Sequence, residues 1–164
     1  MTWRKIRAIL QLRQERLNSA ILPTKNRYFV IEKSNLQKKS HTPIPAGKVY
    51  LSPIIDCFDG MVVSWNISRT PDSILVNSML EDAIGTLLPS EPPLIHTDRG
   101  SHYRWPGWIE RTETAGLTRS MSKKGYSPDN AACEGFFGRL KNEMFYGRSW
   151  IDVSMEAFID EINS

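Results

Sequence analysis

The chain has 164 residues, enough for one domain with a real core and too few for two ordinary ones. With 40% hydrophobic and 24% charged residues it falls in the globular range. No apolar run reaches the roughly 18 residues of a membrane span and no signal-peptide region follows the basic start, so a soluble cytoplasmic protein without a membrane partner is expected.

The net charge of +3 conceals an asymmetry: residues 1–48 hold eleven Lys or Arg against Glu15 and Glu32, whereas residues 49–164 hold ten basic and sixteen acidic side chains. A basic arm on an acidic body suits a chain that meets nucleic acid, and is equally the look of an arbitrary Lys-rich tail. Cys57 and Cys133 are too few and too far apart for a disulfide framework or a four-ligand zinc site, and read as partly buried free thiols.

In chain order, residues 3–18 carry a helical stripe of Ile6, Ile9, Leu10 and Leu17. Tyr28–Ile31 reads as a short strand and Lys38–Pro43 as loop. Lys48–Phe58 and Met61–Ile67 form a hairpin about Asp59-Gly60, with Leu94–Thr97 expected beside the first of its strands. Pro71-Asp72 opens a helix that runs to about Leu88, and Leu94-Ile95-His96 is a buried strand ending at Asp98. Pro106 starts a helix that Gly116 closes, Leu117–Ser122 is a further strand, and Ser127-Pro128-Asp129 begins a last helix through Phe145. Hairpin, helix, strand, helix, strand and helix make an α/β mixture, a mixed sheet with helices packed on it.

Two acids stand out by context. Asp98 ends a buried strand in His96-Thr97-Asp98-Arg99-Gly100, and Glu134 lies one or two turns into the last helix, with thirty-five residues between the two acids. On that helix Asn130, Glu134, Gly138 and Lys141 share one face, while Cys133, Phe136, Phe137, Leu140 and Met144 form an adjoining apolar face. Gly138 leaves room beside Glu134 for a phosphate backbone, and Lys141 is placed to neutralise a phosphate. His96, two residues before Asp98, faces the same side and suits a hydrogen-bonded positioning role. Arg99, Lys123 and Lys124 are candidate DNA contacts, with solvated loops as the plain reading. Trp105 and Trp108 read as core or helix-edge aromatics.

The spacing of Asp98 and Glu134, with Tyr50–Asp56, Ser120-Met121-Ser122, Gly125, Asn130 and Leu140–Glu143, resembles the catalytic core of DDE-type insertion-sequence transposases and retroviral integrases. The resemblance covers about residues 44–164 as a partial catalytic core, and residues 1–43 stand apart as a basic segment unlike the family. It implies an RNase H-like sheet flanked by helices, incomplete at its first strand. It also implies metal-dependent cleavage and transfer of DNA strands, with Mg²⁺ or Mn²⁺ held by Asp98 and Glu134. The implied partners are DNA (element ends and target) and either a second copy of the chain or an intact transposase.

The departure is the first acid. Counted back from Asp98, the family's usual first Asp falls on Lys38, in a stretch with no acid; Glu32 is the nearest upstream and nothing in the sequence brings it within reach. Asp56 is the tempting substitute and is set below the alternatives. The expectation is therefore a degenerate, inactive copy from a disrupted gene, with no third carboxylate near Asp98 and Glu134. The alternatives are a non-catalytic DNA-binding or dimerising fragment, and an active nuclease with a rebuilt first carboxylate.

Overall fold

A computed structural model describes residues 27–36, 47–87, 93–123 and 131–163. The helix read over residues 3–18, the loop at 38–43, Lys124 and Asn130 lie outside them. Six strands form one sheet: β1 (Tyr28–Ile31), β2 (Ser34–Asn35), β3 (Tyr50–Asp56), β4 (Val62–Ser68), β5 (Leu94–Thr97) and β6 (Thr118–Met121). The order is β2-β3-β1-β5-β6, with β4 on β3.

The hairpin forms as the sequence predicts: β3 and β4 pair antiparallel, and Gly60 takes a positive φ of 70° in the turn. The expected neighbour of β3 is different. β5 pairs with β1 and β6, both parallel, and β1 stands between β5 and β3. The reason is that Phe29, Val30 and Ile31 are all buried, a run apolar on both faces that suits only an interior strand. The first-strand position is thus held by residues from the basic N-terminal segment.

β1 and β2 are one interrupted strand. Against β3 the register never slips: Cys57 donates to Tyr28, Ile31 faces Ile54, Ser34 faces Leu51 and Leu36 donates to Val49. Glu32 and Lys33 consequently stand against Pro53 and Ser52. Proline has no N–H to give, so the ladder breaks at that point.

Helices cover both faces. On one face α1 (Ser73–Ile84) and α2 (Pro106–Thr114) bury Val76, Met79, Leu80 and Trp108 against Phe29, Ile31, Ile54 and Ile95. Asp72 caps α1, its side chain accepting from Leu75 N–H at 3.0 Å. On the other face α3 (Ala131–Met144) and α4 (Met155–Asn163) bury Cys133, Phe136, Phe137, Leu140 and Phe158 against Val30, Leu51 and Ile55. All five apolar positions read on the α3 face are buried.

Besides the two-residue β2, two elements went unread in the sequence. A 3-10 turn spans Ser101–Arg104. α4 is the other, although Met155, Phe158, Ile159 and Ile162 keep helical spacing and the Ser154 hydroxyl accepts from Ala157 N–H at 3.1 Å. Of the two thiols, Cys133 is buried and Cys57 is exposed. Cys57 was expected partly buried; it lies in the hairpin turn, outside both cores.

Candidate metal and nucleic-acid site

Asp98 follows β5 directly and is fixed by its own turn: Oδ1 accepts the Gly100 N–H at 2.8 Å. A Cβ on Gly100 would lie 2.8 Å from that oxygen and 3.3 Å from the Tyr103 ring, so the chain turns this tightly only with glycine. The following 3-10 turn drives Tyr103 inward, 2% exposed and edge-on to Trp108 at 5.1 Å. The Tyr103 hydroxyl is buried without a hydrogen bond among the described residues, as is that of Ser52; the two lie close but are not aligned as a pair. Burial pushes the phenol far above its usual range, the charge of Asp98 adds to this, and Cys133 and Glu32 add less. Tyr103 is thereby a common neighbour of the ends of β1 and β5 and of the first turn of α3, where Cys133 precedes Glu134.

Glu32 directly follows the last residue of β1. The parallel register of β1 and β5 runs from Tyr28 with Leu94 to Ile31 with Thr97, and its next step sets Glu32 level with Asp98. Partners in adjacent strands project to the same face, and Val30 on that face packs beneath α3. By alternation Glu32 and Asp98 share the side of the sheet that carries Glu134. Reasoning along the chain missed this because distance in sequence says nothing of which strand lies beside which.

Asp56 lies at the opposite end. It pairs with Phe29, accepts the Phe58 N–H at 2.9 Å, and forms a buried ion pair with Arg27 at 3.1 Å. Its oxygens serve the fold, and three residues of β1 separate its level from that of Asp98.

Glu134 is exposed in the first turn of α3. Among the described residues nothing lies within 4 Å of a notional Cβ on Gly135 or Gly138, so none of them crowds the helix surface around Glu134. Arg99 and Lys123 are exposed beside the strand ends, and Lys141 is half-buried two turns along α3. His96 is buried and bridges strands, Nδ1 to Ser120 Oγ at 3.0 Å and Nε2 to Ser122 Oγ at 2.9 Å, with Tyr28 stacked at 5.9 Å. It anchors β6 to β5 and so fixes the chain leading toward α3.

Carboxylate oxygens are the donors that a hard divalent cation prefers. The fit is one of donor type and of placement at one sheet end, not of convergence: among the described residues no three His, Cys, Asp or Glu lie close enough to hold a metal ion. No helix among them is long and apolar enough to cross a membrane.

Residues 38–127 match the integrase core domain. Over 121 residues the chain is 66% identical to the probable transposase for insertion sequence element IS1353 of Shigella flexneri, covering 74% of this chain and 24% of that protein. It is 33% identical over 147 residues to the transposase for insertion sequence element IS629 of Shigella sonnei, covering 85% and 49%. The chain thus spans between about a quarter and a half of these relatives. The HTLV-2 integrase catalytic core domain, solved in complex with magnesium as a dimeric form, shares the fold with a TM-score of 0.61 at 20% identity, over 87% of this chain and 83% of that one. The six-stranded mixed sheet between two helical layers is therefore RNase H-like, and the chain belongs to the integrase core domain family.

Proposed function

We propose that this chain is a DNA strand-cleaving and strand-transferring core of a transposition element, with a divalent cation held by Asp98 and Glu134 and with Glu32 in the place of the missing first acid. The observation that supports it most is that Glu32 and Asp98 directly follow the last parallel pair of β1 and β5, Ile31 with Thr97, beside the face on which Val30 packs under α3. Bound divalent ions would polarise the attacking and leaving oxygens of a phosphodiester. The chain's residues supply the rest. Asp98 is held rigid by Gly100, Glu134 approaches from the open side of α3, and Glu32 adds negative charge at the same level. Arg99, Lys123 and Lys141 flank this end with positive charge suited to phosphates, and on the sequence reading Lys124 adds charge and Asn130 a hydrogen-bonding amide. The partners on this reading are DNA ends and target DNA in the cytoplasm, together with further copies of the chain or an intact transposase.

The test is cleavage of a labelled DNA carrying the element's end, with Mg²⁺ or Mn²⁺. Asp98→Asn and Glu134→Gln should each lower the rate by about a hundredfold or more while leaving DNA binding in a gel shift nearly unchanged. Binding that is steeply salt-dependent, with no cleavage by the unaltered chain under either metal, would favour the non-catalytic DNA-binding fragment instead.

A further inference from the structure

Tyr103 is built into the turn that carries Asp98. Its backbone N–H donates to the Gly100 carbonyl at 3.2 Å, and a Cβ on Gly100 would stand only 3.3 Å from its ring. Gly100 in turn donates its own N–H to Asp98 Oδ1 at 2.8 Å. Ring, glycine and carboxylate thus form one line of contacts, backed by Trp108 edge-on to the ring at 5.1 Å. The side chain belongs to the core under α1 and α2, with Ile31 and Ile54. Ser52, two residues before Ile54 on β3, is turned to that same face by alternation and is fully buried. The hydroxyls of Tyr103 and Ser52 are both closed off from solvent, and neither has a hydrogen-bond partner among the described residues. Their level in the sheet matters. Both ladders of β5 end at Thr97, so Asp98 stands one residue past them, and the ladder between β1 and β3 lapses opposite Ser52 and Pro53.

We propose that Tyr103 is a positioning residue for Asp98: its ring wedges the turn at Gly100, and its hydroxyl pairs with that of Ser52 to latch the turn to β3. Its use in the chemistry rests on the reading of Asp98 as a functional carboxylate. A buried hydroxyl left unpaired is costly, and a serine side chain has one torsion to turn, so rotation of Ser52 satisfies both groups at once. The latch acts where backbone bonds do not. It spans from the turn after β5 to β3 at the level where the strand between them has lost its bonds to β3. A phenyl ring alone would fill the space, whereas the hydroxyl fixes the distance from turn to hairpin and with it the direction of the Asp98 carboxylate.

Amide hydrogen exchange of the full chain, read residue by residue by NMR, tests the latch, and steady-state cleavage of the labelled element end tests its use. Circular dichroism confirms that each variant is folded. Tyr103→Phe keeps the ring and removes the hydroxyl. It should speed exchange of the Gly100 N–H about fivefold or more, Ser52→Ala should do the same, and the double variant should add little to either. In cleavage, Tyr103→Phe should lower kcat about fivefold with KM for DNA unchanged, because the carboxylate is misdirected while the DNA contacts remain. Unchanged Gly100 exchange in Tyr103→Phe would overturn the latch, as would effects of the two single variants that simply multiply in the double. A Tyr103→Phe chain that opens the turn yet cleaves with full kcat would overturn the positioning role. No cleavage by the unaltered chain, with Gly100 responding as expected, would remove the proposed function and leave the latch standing.

Discussion

Replacing Asp56 by alanine should lower the unfolding free energy by about 3–5 kcal/mol, because it strands the Arg27 guanidinium in a site where the ion pair is almost fully buried. It also leaves the Phe58 N–H without its acceptor at the end of β3. Urea unfolding followed by tryptophan fluorescence measures the change. Asp59→Ala, three positions further on in the turn, should cost only about 1 kcal/mol for the lost bond to Met61 N–H. A loss below about 1 kcal/mol for Asp56→Ala would mean that Asp56 does not anchor the sheet, and would reopen it as a candidate for the chemistry.

Glu32→Gln is the second variant with a large expected effect. If Glu32 takes the part of the first acid, the substitution should lower metal-dependent DNA cleavage by about a hundredfold, comparable to Asp98→Asn, with stability little changed. Glu32→Asp keeps the charge but shortens its reach, and should retain part of the activity. Glu32→Gln with full cleavage activity would show that Asp98 and Glu134 suffice. Lys38→Asp should restore nothing, since the strand paired with β5 is Tyr28–Ile31 and residue 38 is not part of it.

Much of the fold was legible locally. The Asp59-Gly60 turn fixed the hairpin, Asp72 announced the start of α1, and Pro106 with Gly116 bounded α2. The spacing of Cys133, Phe136, Phe137, Leu140 and Met144 gave the buried face of α3. What was not legible depends on contacts between distant segments. Tyr28–Ile31 reads as a strand from four residues, but nothing in those four says that it lies between β3 and β5. That position follows from having buried side chains on both faces, a property of the assembled sheet. Once the strand is placed, the register brings its end, Ile31, beside Thr97, the residue before Asp98. α4 was missed for a different reason: Met155, Phe158 and Ile162 carry the signal, but the segment follows the exposed stretch Tyr146–Ser149, which reads as an ending.

The candidate site divides in the same way. Asp98 and Glu134 could be named from their places after a strand and early in a helix, because metal-dependent chemistry needs carboxylates on rigid elements. Asp56 was attractive on residue type, and its ion pair with Arg27 removes it from contention. Glu32 was set aside on distance along the chain, and its part in the site is a proposal that the Glu32→Gln cleavage assay decides.

The central claim, that the ends of β1 and β5 and the first turn of α3 form one metal site, is tested most directly by paramagnetic broadening. Amide resonances of the isotope-labelled chain would be recorded as Mn²⁺ is added in small amounts. Broadening should begin at Glu32–Ser34, Asp98–Tyr103 and Ala131–Gly135 together, while Asp56–Gly60 at the opposite end stays sharp. Broadening that begins around Asp56 and Asp59, or that spreads over the exposed acids of α1 and α4 without regard to Asp98, would contradict the account.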